Sequence, residues 1–351
     1  MKISATALTA ALLGGTIGIL LLIPMMLTWE RPPMDSQQLG YRGLGMEEIS
    51  NPRTAKLLEA LNKAPVPDDP VENDGVLVKD DPANYQNVQV LGDLDTAQFT
   101  RLMNSISNWV APQEGDNAGC AYCHNLENMA SDEIYTKVVA RRMLQMTRNI
   151  NTAFASHVKE TGVTCYTCHR GNAVPKFVWS TNPGPKQAGG FAASRNGQNL
   201  GGQAVPAFAS LPYDPFTTLL APDANIRVVA STALPGGTGG SIQATEKTYA
   251  LMMHMSEGLG VNCTFCHNSR QFSSWAESRP QRVTAWHGIK MVSDSNTTYM
   301  DPLASVFPAN RKGPMGDVLK VNCQTCHQGI NKPLYGFSMA KEYPELSVPN
   351  P

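Results

Sequence analysis

The chain has 351 residues, of which 42% are hydrophobic and 16% charged, and its formal net charge is −1. This length allows one large domain or two ordinary ones, and the hydrophobic content is that of a globular protein rather than a disordered one. The near-neutral charge argues against a nucleic-acid-binding protein, because such proteins usually carry a basic excess.

Residues 1–29 form the first predicted element, a membrane anchor. No charged residue occurs from Ile3 to Leu27, and about 20 apolar residues are enough to span a bilayer. A cleavable signal peptide would have a shorter apolar stretch and a small-residue cleavage site, whereas Trp29 suits the membrane–water interface. We therefore favour an uncleaved single-pass helix over a removed signal. Lys2 is the only charge before it and directs the N-terminus inward.

Three further kinds of segment follow. Residues 30–95 are rich in proline, glycine and acidic side chains, and we interpret them as an extended linker with a short helix over Thr54–Leu61. Residues 176–240 are a connecting segment, dense in glycine and proline and without periodicity. The segments 96–175 and 241–351 have helical periodicity, which predicts helices over Gln98–Val110, Asp132–Lys159, Thr245–Leu259 and Pro280–Val292.

All eight cysteines lie in four copies of Cys-x-x-Cys-His, and this spacing is typical of covalent attachment of c-type haem. The two thiols can form thioethers with the porphyrin, and the histidine can supply one axial nitrogen to the iron. Structural zinc and a disulfide scaffold are the alternatives, and neither explains the four trailing histidines. The motifs contain Cys120, Cys123 and His124; Cys165, Cys168 and His169; Cys263, Cys266 and His267; and Cys323, Cys326 and His327.

The motifs alternate in design. The first and third have an aromatic residue at their third position and asparagine after the histidine. The second and fourth have threonine at the third position, Thr167 and Thr325, and glycine two residues after the histidine. We therefore predict a mainly α, loop-rich multihaem cytochrome c with two pseudo-repeated haem-pair segments. Covalent haem also favours an extracytoplasmic compartment.

The residues alone leave more than one candidate for the second axial ligand of the irons. Only His157, His254 and His287 lie outside the motifs, so methionine must complete at least one of four six-coordinate haems. Met103 is the only methionine in the helix before the first motif. The helices before the second and third motifs offer several, namely Met143 and Met146 for the second and Met252, Met253 and Met255 for the third.

An internal alignment leaves two alternatives. Pairing residues 151–154 with residues 296–299 matches Met146 with Met291, and Met143 with Gly288. Either Met146 and Met291 are both ligands, or both are packing residues and Met143 is the ligand. In the second alternative the fourth haem has no methionine and needs another donor, for which His157 is a candidate.

Several stretches closely resemble the tetrahaem cytochrome subunit of purple-bacterial photosynthetic reaction centres. The resemblance extends from about residue 35 to residue 345. It is carried by residues 99–114, 141–148, 162–171, 261–268 and 331–336.

The resemblance implies a ligand set and settles the alternatives above. Met103, Met143 and Met252 would ligate the first three haems, and His157 would ligate the fourth. Arg282 matches a family arginine beside the third haem, where a positive charge raises the reduction potential; a surface or propionate-pairing role is the alternative. His254, His287 and Met291 receive no ligand role. Many relatives are lipid-anchored on an N-terminal cysteine, which this chain lacks.

The resemblance also implies a function without a catalytic site. The subunit would lie on the periplasmic side of the photosynthetic membrane and pass electrons from a soluble cytochrome or high-potential iron–sulfur protein to the bacteriochlorophyll special pair. The third haem would lie nearest this pair and the first farthest from it. An anchored tetrahaem quinol dehydrogenase would need more than three spare histidines. A multihaem nitrite or hydroxylamine enzyme would need an open iron position.

Overall fold

A computed structural model describes residues 4–27, 34–39, 46–184, 211–222, 224–228 and 241–351. Helices predominate, which confirms the mainly α prediction. The α-helices are α1 (Ala5–Leu27), α2 (Pro52–Leu61), α3 (Thr96–Val110), α4 (Tyr135–Ala153), α5 (Ala155–Val158), α6 (Cys165–His169), α7 (Phe216–Leu219), α8 (Ile242–Leu259), α9 (Gln281–Asp294), α10 (Cys323–His327) and α11 (Met339–Glu342).

Two short antiparallel strand pairs accompany the helices. Strands β1 (Asp35–Gln38) and β2 (Glu47–Ser50) pair within the segment that we predicted as linker. Strands β3 (Val178–Trp179) and β4 (Lys320–Val321) pair across the chain and bring the connecting segment beside the fourth motif. Residues 185–210 and 229–240 of the connecting segment lie outside the described residues.

Three of the described helices begin at polar capping residues. Asn51, Asp95 and Ser241 precede α2, α3 and α8, and each side chain accepts a hydrogen bond from a backbone N–H of the first turn. The helix that we predicted over Asp132–Lys159 is in fact divided. Phe154 leaves helical geometry, with φ −113° and ψ 29°, and α5 begins at the next residue. Helix α5, which contains His157, contacts α9 in the second half of the chain.

Helix α1 corresponds to the predicted anchor, and its apolar side chains, among them Leu20 and Leu21, are exposed. Within the described ranges, no helix meets the length and hydropathy that crossing a membrane requires. The single-pass anchor is therefore not confirmed.

Two buried clusters form the core. The first joins α3 to the C-terminal residues, where the Trp109 and Tyr343 rings meet edge to face at 4.7 Å. The second joins α4, α8 and α9 and includes Met146, Met291 and Phe216. Half-buried apolar side chains pack against both clusters, among them Met143 and Met252 at the second cluster and Met103 at the first.

Arg148 connects three distant parts of the chain. Its fully buried guanidinium binds both carboxylate oxygens of Asp93 and the backbone carbonyls of Val90 and Glu345. The bidentate pair compensates the buried charge of Arg148. Without a partner, burial of this charge would cost free energy of folding. The pair thus holds the N-terminal segment, α4 and the C-terminal segment together.

We expect Asp93→Asn to destabilise the protein by about 3 kcal/mol, because Arg148 would keep its charge in the core without a counter-charge. Urea unfolding of haem-loaded protein, followed by circular dichroism, measures the change. Asp80→Asn, at an exposed carboxylate, is the matched control and should change stability by less than about 0.5 kcal/mol. Equal stability of the two variants would contradict the structural role of Arg148.

Candidate haem-binding sites

The second and fourth motifs are single helical turns that begin with the same hydrogen bond. The backbone N–H of Thr164 donates to the Thr167 hydroxyl at 3.0 Å, and that of Asn322 donates to the Thr325 hydroxyl at 2.9 Å. The threonine shared by these motifs therefore fixes the start of α6 and α10. In the first and third motifs only the first cysteine lies in a 3₁₀ turn, Gly119–Tyr122 or Cys263–Phe265, and the second cysteine follows the end of that turn.

Each motif histidine is oriented by a backbone carbonyl. In the first and third motifs Nδ1 donates to the carbonyl five residues later, Met129 at 3.2 Å and Phe272 at 2.8 Å. In the second and fourth motifs the acceptor lies three residues later, at Asn172 and Ile330. A carbonyl on Nδ1 leaves Nε2 as the nitrogen available to a metal. The two hydrogen-bond spacings follow the same alternation as the motif sequences.

Burial keeps these histidines neutral. It lowers the pKa of His124, His169 and His267, and it lowers the pKa of His327 to about 4. A neutral imidazole is the form that ligates iron. The thiols are shielded as well, since burial raises the pKa of Cys165 and Cys323 to about 12. All eight motif cysteines lie among the described residues, and none of them forms a disulfide.

An extended cavity of about 1150 Å³ joins the motifs. Its volume exceeds the roughly 300–1,000 Å³ of ordinary ligand pockets. Seven of the eight motif cysteines line it, together with His124, His169 and His327. Cys263 and His267 do not, so the third motif lies at the margin of this space.

The methionines divide between the cavity wall and the core. Met103 on α3 and Met143 on α4 are half-buried and line the cavity. Met146 and Met291 also reach the cavity, but both are buried in the same apolar cluster. This equivalence favours a shared packing role for them.

The third motif offers two methionines on one face of α8. Met252 and Met255 are three residues apart and half-buried, whereas Met253 is exposed. Met255 lines the cavity and Met252 does not. Arg282 lies close by: its guanidinium binds the Ser274 carbonyl and the Ser278 hydroxyl, and it stacks on the Trp275 ring at 4.1 Å.

His157 faces His327 across the fourth site. Their ring centroids are 6.1 Å apart, and Nδ1 of His157 donates to the Thr284 carbonyl at 2.9 Å. A metal–nitrogen bond is about 2 Å long, so two imidazoles on opposite sides of one iron have centroids roughly 6 Å apart. Burial lowers the pKa of His157 and keeps it neutral. The two side chains therefore fit a bis-histidine iron.

Gly288 makes room for the His157 ring. A Cβ at residue 288 would lie 2.6 Å from Cε1 of His157 and 2.9 Å from its Nδ1. No side chain can occupy this position while the imidazole stays in place. Sequence reasoning identified Gly288 only as the counterpart of Met143. The missing methionine in the alignment was the signal that made His157 a candidate donor to the fourth haem.

Unlike His157, His254 does not line the cavity. It is almost fully buried against Phe216, with ring centroids 4.7 Å apart, and burial lowers its pKa to about 4. Because this pKa lies below the ordinary value of 6.5, the unfolded chain binds the proton more tightly than the folded protein does.

We expect the wild-type protein to lose about 3 kcal/mol of stability as the pH falls from 6.5 to about 4, relative to His254→Leu. The loss should then level off below pH 4. Denaturant midpoints at pH 7 and pH 4.5 measure the difference. His287→Gln is the matched control and should keep the wild-type pH dependence, since His254 remains. If the stability of His254→Leu changed between the two pH values as much as that of the wild type, this account of His254 would be wrong.

Covalent attachment motifs around a shared apolar cavity, on a helical scaffold, define a c-type cytochrome. Residues 30–347 match the family model described as the photosynthetic reaction centre cytochrome c subunit. The chain belongs to this family, and is thus an electron-transfer subunit of a photosynthetic reaction centre that carries covalently bound c-type haem.

Similar proteins bear the same description. The chain is 52% identical over 318 residues to the photosynthetic reaction center cytochrome c subunit of Rubrivivax gelatinosus, covering 90% of this chain and 84% of the relative. It is 50% identical over 325 residues to that of Thermochromatium tepidum, covering 92% and 77%. Identity to the Roseobacter denitrificans subunit is 40% over 332 residues.

Proposed function

We propose that the chain holds four haems, one on each Cys-x-x-Cys-His motif, and passes electrons along them to the photo-oxidised bacteriochlorophyll pair. The observation that carries this proposal is that all four motif histidines have Nδ1 on a backbone carbonyl, and that three of these histidines and seven of the motif cysteines line one continuous cavity. Bound haem would supply the one-electron chemistry, and the side chains attach, orient and tune it. The subunit needs no catalytic acid, base or nucleophile.

The proposed axial pairs are Met103 with His124, Met143 with His169, Met252 with His267, and His157 with His327. Two observations support this set: the facing imidazoles of the fourth site and the core position of Met146 and Met291. A sulfur ligand raises the potential of a haem above that of a bis-histidine haem. The fourth haem should accordingly have a lower potential than it would have with methionine.

We infer that electrons pass the motifs in the order first, second, fourth, third. The supporting contacts are those of α3 with α6, of α6 with α10, and of α10 with α8. The Sγ atoms of Cys168 and Cys326 are only 2.7 Å apart. Between α8 and α10, Gly258 lies so close to Gln324 that a Cβ there would approach its backbone to 3.2 Å.

The proposed partners are the reaction-centre core subunits at the third haem and a soluble periplasmic cytochrome or iron–sulfur protein at the first. Association with the core places the subunit at the photosynthetic membrane. Attachment by a single-pass N-terminal helix stays a prediction. Alkaline carbonate washing of membranes tests it, because an anchored chain remains in the pellet and a chain held only by the core is released.

Haem counting and flash spectroscopy of the purified complex test the proposed function. Pyridine haemochrome assay should give four haems per chain, and a light flash should oxidise them in membranes. Met252→Leu should lower the reduction potential of one haem. Met255→Leu, on the same face of α8, is the matched control and should leave all four potentials unchanged. Fewer than four haems, or no light-induced oxidation, would refute the proposal.

A further inference from the structure

The residues that follow the second and fourth motifs adopt the same unusual backbone conformation. Arg170 has φ 51° and ψ 40°, and Gln328 has φ 49° and ψ 44°. This left-handed region suits glycine and is unfavourable for residues with a Cβ. Both positions nevertheless carry long polar side chains, which indicates that the side chains themselves are needed.

The side chains of Arg170 and Gln328 make equivalent hydrogen bonds. Each donates to a backbone carbonyl of its own motif and to a backbone carbonyl of the other motif. Arg170 Nε donates to the Thr167 carbonyl at 3.1 Å, and Gln328 Nε2 donates to the Thr325 carbonyl at 3.2 Å. Across the contact, Arg170 Nη2 donates to the Cys326 carbonyl and Gln328 Nε2 donates to the Cys168 carbonyl, both at 3.3 Å.

Asn62 joins the two halves of this arrangement. The residue is fully buried at the end of α2. Its Oδ1 accepts from Arg170 Nη2 at 3.2 Å, and its Nδ2 donates to the Gln328 carbonyl at 3.2 Å. A segment more than 100 residues away in sequence thus closes the contact between the two motifs.

The arrangement is asymmetric in charge. Arg170 carries a positive charge and Gln328 is neutral, and none of the ion pairs between described residues involves Arg170. Arg170 Nη1 is buried without a hydrogen-bond partner. A guanidinium keeps its charge, and a positive charge in a poorly hydrated site favours the reduced form of a nearby iron.

We propose that Arg170, Gln328 and Asn62 form a clasp that fixes the second and fourth haem-attachment helices against each other, and that the Arg170 charge raises the potentials of both haems. This inference rests on the proposed four-haem function. It assigns positioning roles to the three side chains. It also places the electron transfer between the second and fourth haems beside a positive charge.

Charge and geometry can be separated by substitution, because glutamine already fills the equivalent place in the fourth motif. Arg170→Gln keeps an amide donor and removes the charge. It should shift two of the four midpoint potentials downward and leave the exciton coupling between haems, seen in the Soret circular dichroism, unchanged. Arg170→Lys keeps the charge and should stay near wild type in all four potentials.

Gln328→Gly removes the cross-motif bond at a backbone conformation that suits glycine. It should weaken the exciton coupling while leaving the potentials of the first and third haems in place. Arg270→Gln, at an exposed arginine three residues after a motif histidine, is the charge control and should change none of the potentials.

The outcomes distinguish this inference from the proposed function. All variants are first assayed for four haems per chain, and a wild-type protein with fewer would refute the proposed function alone. With four haems present, unchanged potentials in Arg170→Gln or a uniform shift of all four would overturn the role of the charge. Unaltered coupling in Gln328→Gly would overturn the clasp.

Discussion

Replacing His157 by methionine should raise the potential of one haem by on the order of 100 mV, since the choice of axial ligand spans roughly 0.8 V among haem proteins. The imidazole is held for ligation by its Nδ1 bond to Thr284, and it faces His327 at 6.1 Å between ring centroids. A thioether in its place stabilises the reduced iron. The other three haems should be unaffected.

A redox titration of the purified protein measures this change. The sulfur-to-iron band in the near infrared of the oxidised protein should also grow by one third, from three methionine-ligated haems to four. His287→Gln, at the neighbouring histidine of α9, is the matched control and should reproduce the wild-type titration. If His157→Met gave that same titration, His157 would not be the ligand of the fourth haem.

The helices that contain the ligands were largely predictable from local sequence. The predicted helix over Gln98–Val110 corresponds to α3, which begins two residues earlier because Asp95 caps it. The predicted helix over Thr245–Leu259 likewise corresponds to α8, which begins at Ile242 after the Ser241 cap. Periodicity locates a helix, whereas the cap that sets its first residue depends on a single polar side chain.

Long-range contacts were not predictable in this way. The break at Phe154 interrupts a continuous periodic pattern, and it is compensated by packing of α5 against α9, which places His157 over Gly288. The sequences of β1 and β2 do not alternate between polar and apolar residues, so no pattern predicts their antiparallel pairing. Asn62 binds Gln328 across 266 positions, and nothing in the local sequence of either residue indicates the other.

In the haem sites, too, local residues were predictable and contributions from distant parts of the chain were not. Eight cysteines and four histidines are fixed by a five-residue motif. The proposed second axial ligands lie on other elements, so the residues alone left Met143 and Met146 as alternatives. The burial of Met146 and Met291 in one cluster supplies a physical reason to prefer Met143, because both then serve as packing residues at matching positions.

Gly288→Met combined with His157→Ala should convert the fourth haem into a methionine-ligated one. Gly288 lies at the position that matches Met143, and a side chain there collides with His157, as the 2.6 Å approach to Cε1 indicates. Removing the imidazole frees this space, so a thioether on α9 should reach the iron in the way that we propose for Met143 on α4. The double variant should then be six-coordinate with a raised potential.

Each single variant should instead leave the iron open on one side. Gly288→Met alone displaces the His157 ring, and His157→Ala alone removes the ligand, so both should bind carbon monoxide at one haem per chain. Carbon monoxide difference spectra and a redox titration measure these outcomes. Met291 lies one turn beyond Gly288 on α9, so His157→Ala also tests whether Met291 can ligate the fourth haem. If His157→Ala remained six-coordinate with a raised potential, Met291 would have taken the iron, and the alternative alignment of Met146 with Met291 as ligands would be correct.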